Sequence, residues 1–524
     1  MTLIFGRNWN RVLLAGVAMA VCPVVQAQQI IYPAPPSSAQ TWYQEGQQAL
    51  KETKKQKAAP RRAKNIILFI GDGMGISTVT AARILEGQLQ GRSGEENLLS
   101  FEHFPNVALA RTFSVNQQTS DSAPTMTAMV TGVKTKDGIL AIDQDVVRGD
   151  YRTVAGNELQ TILEIAEKSG KATGVVSTAR ITHATPAACY AHSPNRDWES
   201  DRELSADARA AGFKDIARQL VEFPVGDGLE VALGGGREYF IPRTMPDPED
   251  SGSFGRRLTG DLTQQWVNSR PGSAYVWNKA AFDAINPAVT KRLLGLFERS
   301  HMEYEYDRPG DAAGEPSLTE MTQKAIDILS KNRKGYFLHV ESGRIDHAHH
   351  AGNAYRALTD AIEFSRAIQA TLERVDLKDT LIIVSADHSH VFTIGGYPTR
   401  GNDILGRVIS NDQASSPSMD FDNDSLGLPY TTLNYANGPG WIPNNPGRPD
   451  LTNINTGNPG YLQEATVPLG SETHSGEDVA IYAIGPGSDL FRGVKDQTYI
   501  FHVMQDVFDP NPVPPGFWDQ SLSY

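Results

Sequence analysis

Four tracts of the chain gather oxygen and imidazole donors. They are Gly71-Asp72-Gly73, the run from Glu341 through Asp346, His347 and His349 to His350, the tract Asp387-His388-Ser389-His390, and Glu472-Thr473-His474. Mixed Asp/His sets suit zinc, and all-oxygen sets suit magnesium or calcium. Asp346 and His350 stand four residues apart, the spacing that puts two side chains on one helical face. Asp387 and His388 are adjacent, so they can address one ion only from a bent loop. A single Asp-His pair is ordinary surface polarity, but four such tracts bordering apolar strands point to a metal centre.

Two further features could act on an anion. Ser122 lies in Thr119–Thr125 (TSDSAPT), which opens the helical run MTAMVTG, with Pro124 in the first turn, where proline is tolerated. A serine at a helix start is ordinarily a cap. The same position also sees free N–H groups and the positive helix end, which favour a phosphoryl group. Arg196 lies in the loop Asn195-Arg196-Asp197-Trp198. A loop arginine is ordinarily a surface charge, yet its planar fork also suits two phosphate oxygens. Gly73 and Gly75 do not make a dinucleotide fingerprint, because the spacing is wrong and Asp72 would repel phosphate unless a cation intervened.

The elements that must position these groups read as strands alternating with helices. Asn65–Ile70 (NIILFI), Ala172–Ser177, Glu230–Leu233, Gly335–Val340 (GYFLHV), Thr380–Ser385 (TLIIVS) and Val479–Ile484 are short apolar strands, with helical patterns at Ser77–Leu89 and Leu159–Lys168. Near-continuous apolar strands between helices predict an α/β fold with a mostly parallel sheet covered on both faces. In such sheets the chemistry lies just past the carboxyl ends of the strands. Residues 241–316 and 396–470 break the alternation with Gly-, Pro- and acid-rich stretches and read as insertions on a core spanning 65–524.

The chain of 524 residues has a net charge of −13, which argues against nucleic acid or anionic membrane as its main partner. Arg7 and Arg11 followed by LLAGVAMAVCPVV, with small residues up to Ala27, predict a signal peptide over 1–27 and an exported product of charge −15. Cys22 would leave with it, so Cys189 would stand alone and no intrachain disulfide is expected. Residues 28–64 read as a polar, Lys-rich N-terminal segment with a short amphipathic helix.

The motifs KNIILFIGDGMG, DSAPT, HATPAACYAHSPNRDW, VESGRIDHAHHAGNAYRAL, SADHSHVFTIGGYPTRG and ETHSGEDVAIYAIGP together resemble the alkaline phosphatases, in particular the animal and related bacterial type. The resemblance runs over nearly the whole chain after residue 27. It implies hydrolysis of phosphate monoesters through a phosphoserine on Ser122, with Arg196 holding the phosphoryl oxygens. It implies one Zn²⁺ on Asp346, His350 and His474, and a second on Asp72, Asp387 and His388. It implies Mg²⁺ on Asp72, Thr185 and Glu341, with His183, His347 and His390 orienting ligands or waters. His183 and His347 stand where some bacterial members carry aspartate and lysine, and Pro124 replaces a small residue. By the same resemblance Glu249, the Phe297 carbonyl, Glu298 and Glu315 form a Ca²⁺ site, and 396–462 form a crown-like loop at a homodimer interface. The disulfides and lipid anchor of animal members are not expected here.

Phosphodiesterases, sulfatases and phosphonate hydrolases share the superfamily fold. Glu341 with Thr185, and serine at position 122, point back to monoesters. A plain serine hydrolase would need a histidine base oriented by an acid, and the histidines here fall in tracts better explained as ligands.

Overall fold

The computed structural model describes residues 61–441 and 448–508. The signal peptide, nearly all of the N-terminal segment and the polar C-terminus lie outside the described residues.

In chain order the first strands are β1 (Asn65–Gly71), β2 (Asn106–Arg111), β3 (Ala172–Arg180), β4 (Val231–Gly235), β5 (Ser273–Val276), β6 (Arg292–Leu296), β7 (Tyr336–Ser342) and β8 (Thr380–Ala386). They are followed by β9 (Ser389–His390), β10 (Phe392–Ile394), β11 (Leu433–Gly438), β12 (Ala465–Pro468), β13 (His474–Ser475), β14 (Val479–Ile484) and β15 (Gly493–Asp496). Ten of them form one sheet in the order β15-β2-β14-β8-β1-β7-β3-β4-β6-β5. Only β14 runs against its neighbours in that sheet, so it is mostly parallel.

The central strands are buried along their whole length, which is why they read as unbroken apolar runs. Ile66 to Ile70 are fully enclosed, and each such side chain contributes roughly 1.5–3 kcal/mol of burial. Helices cover both faces. The longest, Ala354–Leu372, starts at Asn353, whose side chain accepts from the Arg356 N–H. Its Phe364 meets Phe69 of β1 edge-on at 5.8 Å. The helix Leu318–Leu329 is closed at its start by a reciprocal Ser317/Glu320 capping box and packs on β3 and β7.

Residues 241–316 differ from the sequence expectation. Part of this stretch supplies β5 and β6, which extend the main sheet in parallel register from β4, Val231 opposite Leu293. The strands are short, and the Pro- and Gly-rich loops around them hide the alternation. Within 396–470, β11 and β12 join β10 in a separate three-stranded sheet.

Candidate metal centre and its nucleophile

Strand register sets the site. Gly71 of β1 is level with Ser342 of β7 and with Ala386 of β8. Asp72, Glu341 and Asp387 therefore reach the same end of three adjacent strands. The helix Arg344–His350 starts two residues beyond β7 and puts Asp346 and His350 on one face. The ribbon β9–β13 pairs His390 with His474, bringing two tracts 84 residues apart into contact. Gly73 takes φ +67°, and a Cβ there would lie 2.3 Å from His390 Nε2, so only glycine lets the β1 loop pass under that ring.

Asp346 is the hub of one cluster. Its Oδ1 lies 2.8 Å from His390 Nε2, 3.3 Å from His474 Nε2 and 3.4 Å from His350 Nε2. His350 Nδ1 faces the Glu472 carbonyl at 2.6 Å, and His474 Nδ1 faces the Ser120 carbonyl at 2.8 Å. A carbonyl only accepts, so each Nδ1 carries a proton, which leaves each Nε2 as the nitrogen turned into the cluster. These two Nε2 atoms lie 3.1 Å apart. Together with Asp346 Oδ1 they converge on one point, the donor arrangement of a cation site once each Nε2 is free of a proton.

A second cluster adjoins it. His388 Nε2 lies 3.2 Å from Asp72 Oδ1 and 3.3 Å from Asp387 Oδ2, and the His388 ring stacks on His474 at 3.6 Å. Ser122 Oγ is 3.1 Å from His388 Nε2 and 3.4 Å from Asp72 Oδ1. Ser122 is the first residue of the buried helix Ser122–Thr131, after Asp121 at the cap position. On the far side Thr185 Oγ1 donates to Asp72 Oδ2 at 3.3 Å, and Ser177 Oγ donates to Glu341 Oε2. Glu341 Oε1 and His183 Nδ1 are buried with no hydrogen-bond partner, and Asp72, His183 and Glu341 offer atoms within 4.8 Å of one another.

The electrostatics fit the same donor sets. Burial, and then the Asp346 charge, push Asp72 up to about 6. Burial and Asp72 push Asp387 up to about 7 and hold Glu341 well above its ordinary value. Burial alone would raise Asp346 too, but the surrounding imidazoles reverse this and hold it well below the carboxylate range. Burial depresses His388 to about 3, whereas hydrogen bonds to Asp346 and Glu472 override burial and lift His390 to about 10. Burial and mutual repulsion outweigh the positive groups near these three carboxyls in the protein alone, and bound cations would redress the balance.

Arg196 is aimed by its neighbours. Nη1 donates to Asp121 Oδ2 at 3.3 Å, Nη2 meets His183 Nε2 at 3.0 Å, and the main-chain N–H bonds the Gly138 carbonyl at 2.8 Å. His347 meets His183 edge-on at 5.5 Å and lies tilted against His301 at 4.0 Å. An open cleft of about 530 Å³, lined by Gln117, Thr119, Ser120, Asp121, His350 and His474, leads to the centre.

The acidic group at the sheet edge differs in one member from the expected set. Glu249 and Glu298 converge with Asp311 within 4.8 Å. Glu315 stands outside that trio, its Oε1 accepting from the Glu303 N–H at 3.0 Å, and burial with the Glu298 charge lifts it to about 9. The Phe297 carbonyl accepts from Arg237 Nη1 at 3.1 Å. Asp311 was hidden in YDRPGDAAGEP, where no strand or helix pattern fixes its direction. Glu472 was legible as part of a donor tract, but its bond of 2.5 Å to His390 Nδ1 depends on the β9–β13 pairing. Asp121, Ser177 and His301 carried no signal beyond residue type.

The family model for alkaline phosphatase matches residues 63–509. The chain is 46% identical over 471 residues to the tissue-nonspecific alkaline phosphatase isozyme of Gallus gallus, covering 88% of each. It is 45% identical over 449 residues to an alkaline phosphatase of Gadus morhua, covering 84% of this chain and 91% of that one. Among solved structures, Thermus thermophilus alkaline phosphatase aligns with a TM-score of 0.58 and 25% identity, over 87% of this chain and 93% of that one. The structure of alkaline phosphatase from the Antarctic bacterium TAB5 shares the fold, with a TM-score of 0.57 over 85% of this chain and 98% of that one. The chain thus belongs to the alkaline phosphatase family, and it is a phosphoric monoester hydrolase.

Proposed function

We propose that this enzyme hydrolyses a broad range of phosphate monoesters through a phosphoserine on Ser122, at a centre of two Zn²⁺ and one Mg²⁺. The observation that carries the reading is the convergence of His350 Nε2 and His474 Nε2, 3.1 Å apart, beside Asp346 Oδ1. Asp346, His350 and His474 would hold one zinc, Asp72, Asp387 and His388 the other, and Asp72, Thr185 and Glu341 the magnesium. When bound, these ions screen the phosphoryl charge and lower the pKa of hydroxyl groups beside them.

Ser122 Oγ, made the nucleophile by loss of its proton, attacks phosphorus. The bond from phosphorus to the ester oxygen breaks and the alcohol departs with a proton. Water then attacks the phosphoserine, the bond from Ser122 Oγ to phosphorus breaks, and inorganic phosphate and the free serine are restored. Arg196 grips two non-bridging oxygens, with Asp121 and His183 fixing its fork. The N–H groups opening the helix Ser122–Thr131 add positive potential at the same oxygens. His183, His347 and His390 orient this set. The open, polar cleft imposes little on the alcohol, which supports broad substrate choice.

A Ca²⁺ held by Glu249, Glu298 and Asp311 beside the Phe297 carbonyl belongs to the same reading, as do export and a homodimer joined through the region 396–462. Among the described residues no helix is long and apolar enough to cross a membrane.

The test is p-nitrophenyl phosphate hydrolysis from pH 6 to 11 with metal content measured alongside. Ser122→Ala should lose at least about a thousandfold in kcat and take up no phosphate covalently. Chelation should abolish activity, and Zn²⁺ with Mg²⁺ should restore it. Activity indifferent to the chelator would sink the metal assignments, and turnover of diesters or sulfate esters alone would sink the monoester reading.

A further inference from the structure

His349 has no place among the proposed ligands and orienting residues above, although His347 and His350 beside it do. Its ring is fully buried, and both nitrogens are tied to elements other than its own. Nε2 lies 2.9 Å from Thr78 Oγ1 on the helix Ile76–Leu89, and Nδ1 lies 2.8 Å from the Tyr435 hydroxyl on β11. With both nitrogens pinned, the imidazole cannot turn about its own axis. One neighbour packed against that fixed ring is His390, centroid to centroid 4.8 Å and inclined 31°. Phe392 of β10 packs on it at 4.9 Å. His390 in turn bonds Asp346 Oδ1 at 2.8 Å and Glu472 Oε2 at 2.5 Å.

An apolar side chain would fill this space without the cost of enclosing two polar nitrogens. The polar solution is useful where ring orientation matters. The contacts form a continuous path from the small sheet β10–β11–β12 through Tyr435, His349 and His390 to the Asp346 carboxylate. We propose that His349 is a positioning residue, a fixed platform that sets the angle of His390 and makes the small sheet a determinant of geometry at Asp346. The inference rests on the reading of Asp346 as a metal ligand.

The experiment uses the metal-loaded enzyme and two variants that preserve shape, Tyr435→Phe and Thr78→Val. Three quantities are read: release of Zn²⁺ to a chelating dye, kcat and KM for p-nitrophenyl phosphate, and the thermal unfolding midpoint by circular dichroism. Tyr435→Phe should release zinc faster and turn over more slowly, each by about tenfold, with KM within about twofold because the phosphoryl grip by Arg196 is untouched. Thr78→Val should move the same two quantities in the same direction. A role in packing alone would lower the midpoint and leave zinc release and kcat at wild-type values. Tyr435→Phe enzyme with wild-type release and turnover overturns the proposal, whatever its midpoint. Wild-type protein that carries no metal overturns the reading of the centre itself, so the two failures are told apart.

Discussion

His350 and His474 each give their Nδ1 proton to a main-chain carbonyl, and these two bonds turn both Nε2 atoms towards one point beside Asp346. The same economy of direction governs Arg196. Asp121 and His183 take one donor each from Nη1 and Nη2, and what remains of the planar fork is free for an oxyanion. Arg196→Ala is expected to lower kcat/KM for p-nitrophenyl phosphate by about 10²–10³, or roughly 3–4 kcal/mol. It should also weaken inhibition by inorganic phosphate. Arg196→Lys should recover only part of this, because an ammonium is a point charge and not a fork. Inhibition constants for phosphate in the two variants check it, and wild-type values in both would remove Arg196 from the oxyanion grip.

The loops at the strand ends are as constrained as the donor side chains they carry. Gly73 must accept a positive φ and also leave room for His390, whereas Gly91 has φ +76° with nothing within 4 Å of a Cβ. The two positions separate strain from collision. Gly91→Ala is expected to cost only about 1–2 kcal/mol of backbone strain and to leave activity near wild type. Gly73→Ala should cost more and should reduce activity sharply, because His390 and the ribbon β9–β13 have to move. Urea midpoints and p-nitrophenyl phosphate assays on both variants decide it, and equal behaviour would mean that the loop has slack. Gly75 faces a similar limit, since its Cβ would fall 1.9 Å from Ser389 Oγ.

At the opposite end of the sheet the whole molecule carries an acidic strain. Glu230 Oε2 accepts from the Thr173 N–H at 2.7 Å, and Glu167 Oε1 accepts from the Thr173 hydroxyl at 2.5 Å. Burial, followed by the Glu167 charge, pushes Glu230 up to about 8, and burial pushes Glu167 up to about 7. Carboxyls with raised values in the fold bind protons that the unfolded chain has released. Their contribution to stability is therefore complete below about pH 4.5 and is lost as pH rises towards 7–8. Glu230→Gln removes one such proton requirement. It should raise stability at pH 9 by on the order of 2 kcal/mol and change it little at pH 5. Urea unfolding at the two pH values tests this. A variant equally affected at both would show that ionisation at Glu230 is not what is being removed. The site is at the other end of the strands, so activity should survive.

The sequence by itself determined the alternation of strand and helix, the donor types at Asp72, Glu341, Asp387 and His474, and the helical face shared by Asp346 and His350. These are local facts, set by side-chain chemistry and by the 2.0 and 3.6 residue periods. Family membership was legible as well, because long motifs recur in one order. Only the tertiary structure decided which donors meet. The β1–β7–β8 register levels Asp72 with Glu341 and Asp387, the β9–β13 pairing sets His390 opposite His474, and three separate loops bring Asp311 to Glu249 and Glu298. It also turned the apparent insertion at 241–316 partly into sheet, and tied His349 to Thr78 and Tyr435 across 271 and 86 residues of chain. Pairings of that range are selected by the packing of the whole core, and no window of neighbouring residues records them.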